Sequence, residues 1–282
     1  MKKIFAHSNW DIIPVMLGIG HLAFNITLYL IYPFTPTWVM IILGFIYSIS
    51  LSWNINSVSH NFLHNKYFNS RALNYAFSWV ESMAIGFSQV FYTWVHMRHH
   101  AGNSDLKDEN GTTVDWLSIY RHGENGQPES VWGYTFKSFF RDDMGDLYNS
   151  IKANNKFKAN FGMFEVASFA AMVLIGFYFD WEAILFFVPF YYLGNALSSL
   201  NGYYEHLGAN PKLPIAWGVS SYNKLYNWIW LNNGYHAEHH YRPKHHWMKM
   251  KELREKIKEE QEKAGVHVIN YCHALGFLQK RK

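Results

Sequence analysis

The 282-residue sequence predicts an all-α, integral membrane fold: four transmembrane helices in two hairpins, with a cytoplasmic helical cap. Three observations carry that expectation. Four long stretches are nearly free of charge, short turns join them in pairs, and neither turn contains Lys or Arg. The composition fits, with 49% hydrophobic, 19% aromatic and only 16% charged residues, which excludes a disordered chain. A single cysteine, Cys272, excludes both a disulfide scaffold and a multi-cysteine zinc site. The net charge of +4 is small and scattered, so no nucleic-acid surface is expected.

The first span is expected at about residues 12–32 and the second at about 37–56, both without Asp, Glu, Lys or Arg. Each meets the requirement of about 20 apolar residues at about 1.5 Å rise. Pro33-Phe34-Thr35-Pro36 is a turn sequence between them. The third span is expected at about 163–179, apolar apart from Glu165, and the fourth at about 183–204, with Asp180-Trp181-Glu182 as the turn. Trp10, Trp38, Trp53 and Trp181 fall near span ends, where amphipathic rings settle at the interface. Residues 57–162 and 205–282 form the cap, and the whole of 1–282 is expected to be one domain.

Two Lys precede the first span, ten Lys and Arg lie between Lys66 and Lys158, and thirteen lie between Lys212 and Lys282. The positive-inside rule therefore puts both termini and the central region on the cytoplasmic face. Residues 72–95 are also apolar, interrupted by Glu81. A fifth crossing there would put Arg98 and the basic residues after it outside, so an interfacial or re-entrant helix is expected instead.

Histidine is the abnormal residue, with 16 copies. His60 and His64 form an HxxxH pair, His96, His99 and His100 an HxxHH cluster, and His236, His239 and His240 a second HxxHH. Spacings of three and four aim such imidazoles from one face of a helix. All three clusters follow spans on the same face, and His206 lies at the same depth just after the fourth. Nine imidazoles exceed what one ion holds, so a dinuclear metal site in the cap is expected. Imidazole suits iron, zinc and copper, and iron is the choice for redox work because zinc has no redox chemistry.

These residues resemble the integral-membrane fatty acid desaturase and hydroxylase superfamily, marked by three histidine boxes around a di-iron centre. The resemblance runs roughly from His60 through Pro243. The third box, Gly234-Tyr235-His236-Ala237-Glu238-His239-His240-Tyr241-Arg242-Pro243, is similar to the desaturase pattern in which a proline follows the last histidine pair. Acyl-coenzyme A desaturases carry an Asn four residues before the additional histidine. Here Gly202 takes that place, and Asn201 stands five before His206. Tyr204-Glu205-His206-Leu207-Gly208 looks instead like the alkane hydroxylase branch.

The resemblance implies oxygen-dependent oxidation of an unactivated C–H bond in a fatty acyl or lipid-like substrate. Desaturation is the first expectation, and hydroxylation of the alkane hydroxylase type the alternative. It implies two iron ions, replaceable by zinc on overproduction, with dioxygen as co-substrate. The metal ligands would be His60, His64, His96, His99, His100, His206, His236, His239 and His240, with no further catalytic residue. Electrons must come from a separate ferredoxin, rubredoxin or cytochrome, because no Gly-rich dinucleotide loop is present.

Carboxylates that fix imidazole tautomers are expected among Glu205, Glu238, Asp105, Asp108 and Asp115. His21 reads as a helix-packing histidine, and His245 and His246 as structural or interfacial. His7, His122, His267 and His273 carry no spacing signal. Residues 248–263 read as a solvated helix that could dock the electron donor. A metal carrier or transporter would place its ligands near the bilayer midplane rather than at one face. A zinc hydrolase would need an open coordination position and a general base, but not nine imidazoles.

Overall fold

A computed structural model describes residues 3–141 and 143–278. Its α-helices are α1 (Ile12–Ile31), α2 (Thr37–Asn54), α3 (His60–His64), α4 (Arg71–Ile85), α5 (Gln89–Gly102), α6 (Val131–Lys137), α7 (Met144–Asn154), α8 (Lys156–Phe179), α9 (Trp181–His206), α10 (Lys224–Ile229), α11 (His236–Tyr241) and α12 (Met250–Lys263). The strands among the described residues are β1 (Ser220–Ser221) and β2 (Val268–Ile269), which pair in parallel. The fold is all-α as expected.

Four helical stretches are long and apolar enough to cross a membrane: Asn9–Phe34, Thr37–His64, Lys156–Phe179 and Trp181–His206. They fall where the sequence puts spans and run longer at their ends. The second continues to His64 through a π-helical stretch, Ile55–Ser59, because no Gly or Pro stands there to stop it. The third begins earlier because the Asn155 side chain accepts from the amide of Lys158 and caps α8.

Two compact units make up the chain, one of Met1–Trp94 with Asp142–Asn195, the other of Val95–Arg141 with Ala196–Lys282. In the first, α1 and α4 run side by side. The Asn25 amide donates to the carbonyl of Ala84 at 2.8 Å, so the end of α4 lies level with the middle of a membrane-length helix. At Gly86 the backbone turns left-handed, with φ 82°, and α5 leads away. The stretch expected at 72–95 is thus two helices around a turn.

Two buried acidic side chains hold that turn in place. Glu165 of α8 accepts from the Ser78 and Ser88 hydroxyls at 2.5 and 2.6 Å and from the amide of Val90 at 3.1 Å. Glu81 of α4 accepts from the hydroxyl of Ser59, the residue before His60. His21 bonds Asn54 and Ser50, the packing role expected of it.

Among the described residues, two apolar centres of the second unit bear on the site. Tyr235, Met250, Leu253 and Ile257 form one, beneath the buried stripe of α12. Ile119, Tyr134 and Tyr203 form the other, and the Tyr203 hydroxyl donates to the carbonyl of Glu129 at 2.7 Å. Together they fix the end of α9, the loop after α5, and α11.

Candidate metal centre

Seven histidines of the second unit come together from three segments. His96, His99 and His100 occupy the last turns of α5, His206 ends α9, and His236, His239 and His240 fill α11. All seven are buried. His96, His100 and His239 each offer a ring nitrogen within 4.8 Å of the others, and so do His99, His206, His236 and His240. His60 and His64 lie in the first unit, one turn apart on α3, with ring centroids 5.2 Å apart.

Local sequence explains how the donors are aimed. After α5, Asn103 and Ser104 adopt left-handed backbone at φ 52° and 54°, which turns the chain sharply. The loop then brings Asp115 back against the helix at Gly102, where a Cβ would meet the Asp115 backbone nitrogen at 2.6 Å. Only glycine accommodates that approach. Leu231 and Asn232 are left-handed as well, at φ 48° and 64°, and set the start of α11. Asn232 is held there by bonds to the carbonyls of Asn227 and Trp247.

In one group of four, each ring has its Nδ1 facing an oxygen. His99 Nδ1 meets Asp115 Oδ2 at 2.7 Å, His206 Nδ1 meets the Trp217 carbonyl at 3.1 Å, and His240 Nδ1 meets Asn103 Oδ1. His236 Nδ1 lies 3.7 Å from Glu205 Oε1. A proton on Nδ1 that donates outward leaves Nε2 with its lone pair, the arrangement that prepares imidazole for a metal. Nε2 of His240 is buried and has no hydrogen-bond partner.

The other group makes the same point differently. His100 Nε2 lies 3.0 Å from His96 Nε2 and also 3.0 Å from His239 Nε2. A neutral ring nitrogen donates once or accepts once, so it cannot satisfy both neighbours by ordinary hydrogen bonds. Nitrogens about 2.1 Å from one cation and at right angles around it would be ~3.0 Å apart. Buried and convergent, this donor set fits a cation of the iron, zinc or copper type.

Electrostatics follow the contacts. Burial disfavours a charged His99, but the Asp115 carboxylate overrides it and raises the imidazole above its usual pKa. Asp115 meets an opposing burial cost and is nonetheless held below the usual carboxylate range by His99. Burial first, and then the crowd of His100, His236, His206 and His99, pushes His240 well below its usual value. A neutral ring is the form that binds metal.

Of the five acidic residues expected to support the rings, Asp115 and Glu205 stand next to histidines. Asp105 supports Asp115, accepting its amide at 3.0 Å, and Asp108 sits in an exposed turn. Glu238 faces elsewhere, accepting from Ser220 and Tyr222 beside Arg254. It anchors α11 to β1 and α12. His245 is half-buried and contacts the carbonyl of Lys249.

Two contributors have no signature in the sequence. Asn103 holds His240 through its oxygen and the His100 carbonyl through its amide. His273, fully buried, bonds the Tyr226 hydroxyl and the Val219 carbonyl and lies 3.9 Å from Glu205. Asn201 does not act on a ring; its amide donates to Glu205 at 2.8 Å and Asn233 donates to the same oxygen. An Asn three residues after an HxxHH is the one clue that could have been read.

Membrane-length helices and grouped, oriented imidazoles define a class of membrane protein with a histidine metal site. The sequence profile described as fatty acid desaturase matches residues 36–271, covering the last three membrane-length helices and all three histidine boxes. The chain belongs to the fatty acid desaturase family, which supports a membrane oxidase acting on fatty acyl chains. Comparisons with curated proteins and with solved structures return no match.

Proposed function

We propose that this protein oxidises an unactivated C–H bond of a fatty acyl or lipid-like chain, by desaturation, at two iron ions with dioxygen as co-substrate. The observation that carries the proposal is the pair of buried imidazole groups whose nitrogens converge. His99, His206, His236 and His240 would hold one ion. His96, His100 and His239 would hold the other, and His60 and His64 of the first box are proposed as further ligands. Residues 1–282 act as one functional domain, with both termini and the caps facing the cytoplasm as the Lys and Arg distribution argues.

Iron there would supply reductive activation of dioxygen and removal of hydrogen from an unactivated carbon. The protein's own residues fix the ligands: Asp115, the Trp217 carbonyl and Asn103 hold Nδ1 protons so that Nε2 faces inward. Their burial keeps water from the site. Overall, a CH2–CH2 unit and dioxygen, with two electrons and two protons from outside, become an alkene and two waters. A separate ferredoxin, rubredoxin or cytochrome would deliver the electrons.

Hydroxylation is the second reading, favoured by the Tyr204-Glu205-His206-Leu207-Gly208 segment, in which Glu205 stands beside His236. It would return one oxygen atom to the chain and release one water. Mass spectrometry of lipids from cells with and without the protein separates the two. Desaturation yields species two hydrogens lighter, hydroxylation species one oxygen heavier, and His99→Ala removes either. Lipids unchanged by the wild-type protein under aerobic, iron-replete growth would contradict the oxidase function.

A further inference from the structure

A short 3-10 helix, His273–Leu278, begins two residues beyond the segment that the fatty acid desaturase profile matches. It lies directly on the end of α9. The Ala274 amide donates to the Asn201 side-chain oxygen at 3.2 Å, and a Cβ at Gly276 would run into the Tyr204 ring. His273, the first residue of this helix, is thereby held fully buried.

Its partners fix which ring nitrogen carries the proton. A carbonyl only accepts, so His273 Nε2, 2.9 Å from the Val219 oxygen, is the N–H. Burial pushes the imidazole down to about 4, which keeps the ring neutral and leaves Nδ1 as an acceptor. The Tyr226 hydroxyl, 3.0 Å away, therefore donates to Nδ1. Its oxygen accepts in turn from the Asn233 amide nitrogen at 3.4 Å, and that nitrogen also donates to Glu205 Oε1 at 2.7 Å.

Two routes lead from this ring to histidines of the metal centre. On the first, Val219 accepts from His273 while its own amide donates to the Glu205 carbonyl at 2.8 Å, which fixes the stretch 217–219. The Trp217 carbonyl is the oxygen that faces His206 Nδ1. A Cβ at Gly218 would meet His236 Cδ2 at 2.9 Å and the Ala237 nitrogen at 3.0 Å, so any shift of this stretch also reaches His236. On the second, Tyr226 and Asn233 hold the Glu205 carboxylate, whose Oε1 lies 3.7 Å from His236 Nδ1 and 3.9 Å from His273 Nδ1.

We infer that His273 is a positioning residue of the metal centre, setting the orientation of His206 and His236 through Val219 and Glu205 without being a ligand itself. The inference rests on the metal centre proposed above. Both rings that it orients belong to one group, with His99 and His240. Loss of His273 should therefore weaken the ion of that group and spare the ion of His96, His100 and His239.

The test titrates the full chain in detergent with cobalt(II) against a competing chelator, and the visible d–d bands of cobalt report ligand geometry. His273→Phe keeps a ring and loses both bonds. It should weaken one ion about 10–100-fold and alter its bands, with the other ion unchanged. His273→Gln still donates to Val219 and should recover most of that affinity. Leu147→Ala, at a buried position of α7 in the first unit, should lower the thermal unfolding midpoint and leave both affinities unchanged. Wild-type affinity in His273→Phe would overturn the inference, and so would equal losses in His273→Phe and His273→Gln, the mark of packing alone. Should His273→Phe not fold, Tyr226→Phe takes its place: removal of that hydroxyl should weaken the same ion, and unchanged binding would overturn the inference. A wild type that takes up no cobalt would instead reject the metal centre.

Discussion

At the residue scale the chemistry turns on which imidazole nitrogen carries the proton. Asp115 accepts from His99, from the amide of Ser104 and from the amide of Leu117, so it is locked before it acts on the ring. Replacing it by Asn removes the charge while keeping the shape. Asp115→Asn should weaken metal binding by about 10–100-fold, measured by competition with a chelator, while the protein stays monodisperse. Unchanged affinity would mean that Asp115 has no part in the site. The three boxes were legible because i, i+3 and i+4 spacings leave few alternatives for histidine. His273 and Asn103 were not, since each reaches the site through tertiary contacts that no period encodes.

At the scale of elements, α4 and α5 depend on an acidic residue of another helix. Glu165 ties the Ser78 hydroxyl of α4 to two donors at the start of α5, which later presents His96, His99 and His100. Glu165→Ala would leave buried donors unsatisfied, at a cost on the order of 3 kcal/mol. It should therefore lower the thermal unfolding midpoint in detergent, with Glu165→Gln milder because its carbonyl still accepts. An unchanged midpoint in Glu165→Ala would show the contacts to be dispensable. Glu165 stood out in the sequence as the one charge in its span. Its partners did not, because Ser78 and Ser88 read as ordinary helix and turn residues. The apolar run at 72–95 gave no hint of two helices, since its stop signal is a lone Gly86 whose left-handed backbone shows only in the folded chain.

At the scale of the whole molecule, hydropathy carried most of the architecture. Four stretches nearly free of charge correspond to four membrane-length helices, and their ends moved only where capping or an unbroken helix extended them. The two-unit organisation was not legible, because α5 and α9 each contribute to both units and no linker composition marks a boundary. The proposed function assigns one ion to each of two groups of convergent imidazoles, and the most direct test is metal stoichiometry. Protein purified anaerobically and reconstituted with ferrous iron should bind two ions per chain, with a Mössbauer spectrum of a coupled pair after oxidation. A single ion per chain, or none, under those conditions would contradict the dinuclear centre and the oxidase function built on it.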